Sequence, residues 1–129
     1  MAATNSTVRN YQDLHVWQKA RLLAKRVYEV TDALPAHEQY GLTQQLRRAA
    51  VSIPSNIAEG YGRGGRQDYV RFLKTARGSL YELQTQLLLA QDFGYLSEQQ
   101  VAAVMQHAAQ CSQVLHGLIR SLVKPKVGK

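Results

Sequence analysis

The sequence holds one cysteine, Cys111, so no disulfide can form within the chain, and a reducing compartment suits it. It has no apolar run near the ~20 residues that span a bilayer. Met1 to Asn10 is polar and carries no apolar segment of the kind a secretory signal needs. Acids are scarce: 9 Asp and Glu stand against 16 Lys and Arg, for a net charge of +7. No stretch alternates apolar and polar residues as a half-buried strand would, and there is no internal repeat or low-complexity tract. These absences leave a soluble, cytoplasmic, helical protein whose charge favours an anionic partner such as nucleic acid. With 129 residues, 45% of them apolar, the chain is long enough for one domain with a proper core and too short for two.

What is present is helical periodicity. Val16, Ala20, Leu23, Val27, Val30 and Leu34 alternate steps of four and three, predicting a first helix from about Asp13–His15, capped by Asp13 and ended by Pro35. Trp17, Ala24 and Tyr28 form a second stripe beside it. Pro35 to Gly41 reads as a connector. A second helix is expected from Leu42 to about Glu59, with Leu46, Ala49 or Ala50, Ile53 and Ile57 inward. A third runs from about Gln67 to Asp92 on Tyr69, Leu73, Ala76, Leu80, Leu83, Leu87 and Ala90, and Gly94 stops it. Ser97 and Gln100 fit a capping box that opens a fourth helix. Its stripe is Val101, Val104, Ala108, Cys111, Leu115, Leu118 and Leu122. The expectation is an all-α, up-and-down antiparallel four-helix bundle over residues 13–123, with a flexible tail over 1–12 and a basic tail over 124–129.

The second helix carries unusual features. Arg48, Ser52, Asn56 and Glu59 make a polar stripe beside the apolar one, and Pro54 sits within it. A kink is expected there, with the Ser52 hydroxyl able to satisfy the freed Ala50 carbonyl. The polar stripe predicts an internal network of Ser52, Asn56 and Glu59 with Ser79 and Glu82, in which Asn56 and Glu59 are buried. Arg48 and Arg77 are its cationic partners. Mid-helix Gly78, with Ala76 and Ser79, suggests more contacts than a lone bundle needs, through close approach of another backbone, since glycine there costs about 1 kcal/mol relative to alanine; a tolerated surface glycine is the alternative.

Chemistry-bearing constellations are few. Gly60, Gly62 and Gly65 match a dinucleotide fingerprint by spacing, but a helix precedes them where that motif requires a strand, so a flexible corner is the better reading. His107 and Cys111 are one helical turn apart with no further ligand evident, and Cys111 lies on the core stripe, which favours a structural thiol. Ser52 and Ser79 have no histidine placed to activate them. Glu59 and Glu82, both near apolar stripes, are the strongest candidates for acid–base work, and a polar network outweighs that role for them. The reading therefore calls for no catalytic residue, metal or cofactor. The strongest remaining signal is basic: Arg47, Arg48, Arg63, Arg66, Arg71, Lys74 and Arg77 surround the glycine corner. Tyr61 and Tyr69 are interleaved as stacking platforms. A nucleic-acid surface is expected there, with a solvated helix face as its plainer alternative.

The run from Ala49 to Gly60, A-A-V-S-I-P-S-N-I-A-E-G, is followed by Arg63, Phe72-Leu73, Ala76, Gly78-Ser79 and Glu82-Leu83. With Leu14, Trp17, Ala20, Pro35, Glu38, Tyr40-Gly41-Leu42, Gln45 and Arg47-Arg48, it resembles the 23S rRNA intervening-sequence protein family over nearly all of Leu14–Val123. That resemblance implies a four-helix bundle. The family is related to the accessory protein of diversity-generating retroelements, a basic bundle that forms a pentamer and binds nucleic acid and a reverse transcriptase. The relationship implies a homo-oligomer, a five-membered ring above all, with RNA or DNA and a reverse transcriptase as possible partners. It implies no enzymatic activity. The alternative is a protein–protein adaptor whose charge serves solubility.

Overall fold

The computed structural model describes residues 8–123. The two tails expected at 1–12 and 124–129 lie outside this range except for residues 8–12. Four helices are present: α1 (His15–Thr31), α2 (Leu42–Gly62), α3 (Arg66–Asp92) and α4 (Glu98–Val123). α1 packs on α2 and α4, and α3 packs on the same two, so α1 and α3 stand on a diagonal of an antiparallel bundle. α2 and α3 share the most extensive contact.

The expected stripes supply the core. Val16, Ala20, Leu23 and Val27 of α1 are buried, as are Leu46, Ile53 and Ile57 of α2 and the whole Leu73–Ala90 stripe of α3. The α4 stripe departs from expectation near its end. Ile119 is buried while Leu118 and Leu122 are only partly so. A straight helix drifts about 20° per heptad against a strict seven-residue repeat, and after three heptads the next position has rotated inward.

Helix ends also differ in informative ways. Asp13 is not the cap of α1. It closes a 3-10 turn over Tyr11–Asp13, where its carboxylate accepts from the backbone of Arg9 (2.8 Å) and Asn10 (3.3 Å). The chain is thus tied down from Arg9, earlier than expected. α1 stops at Thr31, before Pro35, and Leu34 reaches the core from the following turn. The Thr31 hydroxyl donates back to the Val27 carbonyl at 2.8 Å and accepts from Arg47 Nε at 2.9 Å, fixing the end of α1 against α2. α3 ends as expected at Gly94, whose φ of +82° allows the Tyr95 amide to bond the Ala90 carbonyl at 2.9 Å. The Ser97–Gln100 capping box forms in both directions, at 3.0 and 2.8 Å.

α2 runs unbroken through Pro54 and on to Gly62, past the expected end at Glu59. The extension depends on Gly60. A β-carbon there would lie 2.6 Å from Phe72 Cβ, so the absence of a side chain lets α2 and α3 meet at their corner. At Gly78 no other element among the described residues makes the close approach. Apart from the backbone of its own helix, nothing among the described residues comes within 4 Å of a β-carbon at that position, and it faces outward.

Candidate nucleic-acid interface

The corner between α2 and α3 is short. Only Arg63, Gly64 and Gly65 separate the helices, and Gly64 takes a φ of +85°. Gly65 is the N-cap of α3 and provides no side-chain hydrogen bond to the first turn. The first-turn amides of α3 are thus left without a side-chain cap, in a turn that holds both Arg66 and the acid Asp68.

The basic residues around this corner divide into three groups. Arg63 and Arg71 bracket Phe72, with their guanidinium carbons 5.1 and 4.5 Å from the ring centre. Each also pairs with an acid of its own helix surface, Arg63 with Glu59 and Arg71 with Asp68, both at 3.2 Å. Arg66 and Lys74 are exposed and have no acidic partner among the described residues. Lys74 and Arg71 line a shallow depression on the outer face of α3 together with Gln67, Val70 and Thr75. Arg77 is half-buried on the flank of the same helix, also without an acid partner among the described residues.

Arg47 and Arg48 do not belong to this surface. Arg48 stands twelve residues before Gly60, roughly 18 Å back along α2 at 1.5 Å per residue. Arg47 is engaged elsewhere. Besides Thr31, it donates to the Tyr28 carbonyl (3.3 Å) and Asp32 (3.1 Å), and it lies 4.6 Å over the Tyr28 ring. It is a clamp between α1 and α2. The stacking platforms expected at Tyr61 and Tyr69 are also spent internally. The rings meet edge to face at 5.9 Å, and Tyr69 is turned in so far that its hydroxyl is buried without a partner. Burial, aided by Tyr61, pushes the Tyr69 phenol up to about 12.

The expected polar network forms in part. Ser52 and Ser79 hydroxyls meet across α2 and α3 at 2.8 Å, and Asn56 Nδ2 donates to Ser52 Oγ (2.9 Å) and to its carbonyl (2.8 Å). Ser52 is thereby committed sideways rather than to the Ala50 carbonyl. Glu59 is not in the network and is not buried: it faces solvent beside Arg63. The reason is angular. At about 100° per residue, Asn56 lies one step from the buried Ile57, whereas Glu59 lies about 200° round from it. Glu82 is exposed too, and among the described residues accepts only from Gln86 Nε2 at 3.3 Å. Glu59 stands next to Gly60, which packs on Phe72. Glu82 is ten residues, roughly 15 Å, further along α3, so the two carboxylates do not converge on acid–base chemistry.

Two clusters were not anticipated. Ser112 Oγ and Tyr81 Oη approach the two ring nitrogens of His116 at 3.1 and 3.0 Å, linking α3 to α4. Glu38, in a 3-10 turn over Ala36–Glu38, accepts from the Leu42 amide at 2.8 Å and from Tyr95 Oη at 2.9 Å. His37 Nε2 lies 3.3 Å from the same phenol oxygen. The capping box rule looks three residues onward from a Ser or Thr, and Glu38 capping Leu42 from before Gly41 escapes it. His107 is half-buried and Cys111 fully buried. Burial pushes the Cys111 thiol up to about 11. No group of three His, Cys, Asp or Glu side chains gathers among the described residues. No helix among them is long and apolar enough to cross a membrane.

An antiparallel four-helix bundle with a basic, glycine-hinged corner is the class of protein these features define. The model of the 23S rRNA-intervening sequence protein family matches residues 12–117, and the chain belongs to that family. A solved structure from Bacteroides thetaiotaomicron, described as a protein with unknown function from the S23 ribosomal protein family, is similar to it. The TM-score is 0.75 at 22% identity, over 81% of this chain and 98% of that one. That likeness concerns the fold. No curated protein matches the sequence.

Proposed function

We propose that this protein is a non-enzymatic, cytoplasmic, self-assembling bundle that binds RNA or DNA through phosphate contacts at the α2–α3 corner. The observation that carries the reading is the placement of Arg66 and Lys74. Both are exposed without an acidic partner among the described residues, on the outer face that also presents Arg71 and near the start of α3, which has no side-chain cap. Cations held free of internal partners in a chain of net charge +7 are available to displace counterions from a nucleic acid. Such contacts position a strand without reading its sequence.

The test is binding of a generic RNA and a generic duplex across a salt series. Affinity falls with salt, with a log–log slope of about −0.9 per duplex phosphate neutralised and about −0.7 for single strands. Arg66→Ala with Lys74→Ala weakens all sequences alike and flattens the slope by about one unit per lost contact. The same pair leaves folding nearly unchanged, because exposed charges contribute little to stability. Absence of binding to either polymer at low salt removes the nucleic-acid reading.

A second reading is a protein–protein adaptor, and the C-terminal half of α3 favours it. There Tyr81, Leu88, Leu89 and Phe93 are exposed, among the polar Glu82, Thr85 and Asp92. A reverse transcriptase is one partner this reading admits, by family relationship alone.

A further inference from the structure

A polar cavity of about 300 Å³ opens between the start of α2 and the middle of α3, lined by Tyr40, Gly41, Gln44, Gln45, Arg48 and Glu82. It lies roughly 18 Å along α2 from the basic corner, and the phosphate contacts proposed there play no part in it. Arg48 and Glu82 share its wall yet do not pair, and among the described residues no side-chain hydrogen bond engages the Arg48 guanidinium. Opposite charges left apart in one cavity are placed to meet opposite charges on something else.

Glu82 is held in position from below. Gln86 is only 7% exposed, and its Nε2 donates to Glu82 Oε2 at 3.3 Å while its own Oε1 finds no partner. A buried amide with an unsatisfied oxygen is costly. The opposite orientation of the amide would set that oxygen against a carboxylate. The arrangement keeps Glu82 at the cavity mouth with most of its acceptor capacity unused, since a carboxylate has about four lone-pair sites. At the rim stands Tyr40, 82% exposed, the largest flat apolar surface that the chain leaves open to solvent in this region.

A ligand for this set needs an anion for Arg48, paired N–H donors for Glu82 and a flat face for Tyr40. An aliphatic zwitterion such as alanine meets the first and part of the second but has no face. Arginine, with its carboxylate and planar guanidinium, can meet all three, so the choice of a nucleotide rests on the nucleic-acid binding proposed above. Among nucleotides, uracil offers one donor between two acceptors. Adenine and cytosine each offer an amino group beside an acceptor, which a carboxylate repels. Guanine alone presents two adjacent donors, N1–H and N2–H, on one edge. We infer that this cavity is a binding site for a guanosine monophosphate unit, with Tyr40 stacking on the base, Glu82 accepting from its edge and Arg48 holding the phosphate. The unit is either a free nucleotide or one residue of a strand.

Calorimetric titration of the full chain with GMP, AMP and UMP, and with an oligouridine with and without one central guanosine, tests this. GMP binds about tenfold or more tightly than AMP or UMP, the discrimination a two-bond base contact provides. Glu82→Gln moves the preference from GMP toward AMP, because an amide offers one donor and one acceptor, the pattern that adenine matches. Tyr40→Ala weakens GMP by about tenfold through lost stacking. Both side chains are exposed, so melting temperatures stay put, which separates recognition from folding. GMP binding that gains nothing from flanking uridines identifies a free nucleotide. A guanosine-containing strand that binds well above GMP identifies a strand residue. GMP and UMP binding alike, neither binding at millimolar concentration, or Glu82→Gln leaving the base order unchanged would each overturn the assignment. Salt-dependent RNA binding that survives such a result leaves the corner reading standing, and GMP binding that survives Arg66→Ala with Lys74→Ala leaves this one standing.

Discussion

Gly60 is fixed by what stands opposite it. Phe72 Cβ at 2.6 Å and the Tyr69 carbonyl at 3.3 Å occupy the space that any side chain would need. Gly60→Ala is expected to lower stability by about 1–3 kcal/mol, the usual cost of overpacking, measured by urea unfolding with an unchanged m-value. Cys111 is the opposite kind of residue, chemically able but shut away. Its thiol, raised to about 11 by burial, carries almost no thiolate near neutral pH. Alkylation should be very slow in the native protein and fast in denaturant; rapid native labelling would contradict this burial. Cys111 was legible in the sequence because it falls on an apolar stripe. Glu59 was misread because a stripe of polar residues at helical spacing says which residues share a face, not how far that face is turned from the core. The same holds for Arg47: nothing local in the sequence shows that Thr31, Tyr28 and Asp32 converge on it from α1.

At the scale of elements, periodicity and caps were legible where the physics is local. The α3 stripe, Gly94 and the Ser97 box depend on neighbours within one or two turns, and each appears where the spacing places it. The Glu38 clasp depends on the fold, since it joins the α1–α2 connector to Tyr95 after α3. It also anchors the start of α2, and a β-carbon on Gly41 would fall 2.5 Å from Glu38 Oε1, so glycine there leaves room for the carboxylate. The Leu42 amide, and then the Tyr95 hydroxyl, hold the Glu38 carboxyl below its ordinary value of 4.5, with His37 adding to this and desolvation opposing it. A carboxyl whose pKa is lower in the folded state stabilises above the unfolded value and loses that contribution as pH falls through the folded value. Tyr95 is raised, mainly by the same hydrogen bond, so its contribution is present below pH 10 and fades as pH rises further. Thermal melts of Glu38→Gln against wild type should therefore show a shallower fall below pH 4.5 and a shallower fall above pH 10. Parallel curves would mean the clasp is not formed in solution.

The whole molecule is divided along α3. Its outer face is mainly basic from Arg66 to Arg77, has glycine at Gly78, and then exposes Tyr81, Leu88 and Leu89, with Phe93 just past its end, among the polar Glu82, Thr85 and Asp92; Leu88 and Phe93 are 50% and 57% exposed. The sequence pointed to excess apolar surface, but at Trp17, Tyr28 and Phe72. Arginines stack on all three, Arg21 over Trp17, Arg47 over Tyr28, and Arg63 and Arg71 over Phe72, yet Tyr28 stays 44% exposed and Trp17 is only partly buried. The surface left for a partner is the second half of α3, together with a cleft between α1 and α2 lined by Tyr11, Trp17, Ala24, Val51 and Pro54. The acids Glu82 and Asp92 flank the first, and Arg21 lines the second. α1 and α3 are diagonal in the bundle, so contact between these two surfaces joins unlike faces, and unlike-face contacts generate rings or filaments rather than two-fold dimers. A closed ring of five would weigh about five times the 14.5 kDa chain by light scattering. Leu88→Asp with Leu89→Asp places charges in that half without touching the buried stripe, so the variant should scatter as a monomer and keep its helical circular dichroism. Wild type that is already monomeric at micromolar concentration, or a double variant that assembles as wild type does, would show that α3 does not mediate self-association and would turn its second half over to a different protein.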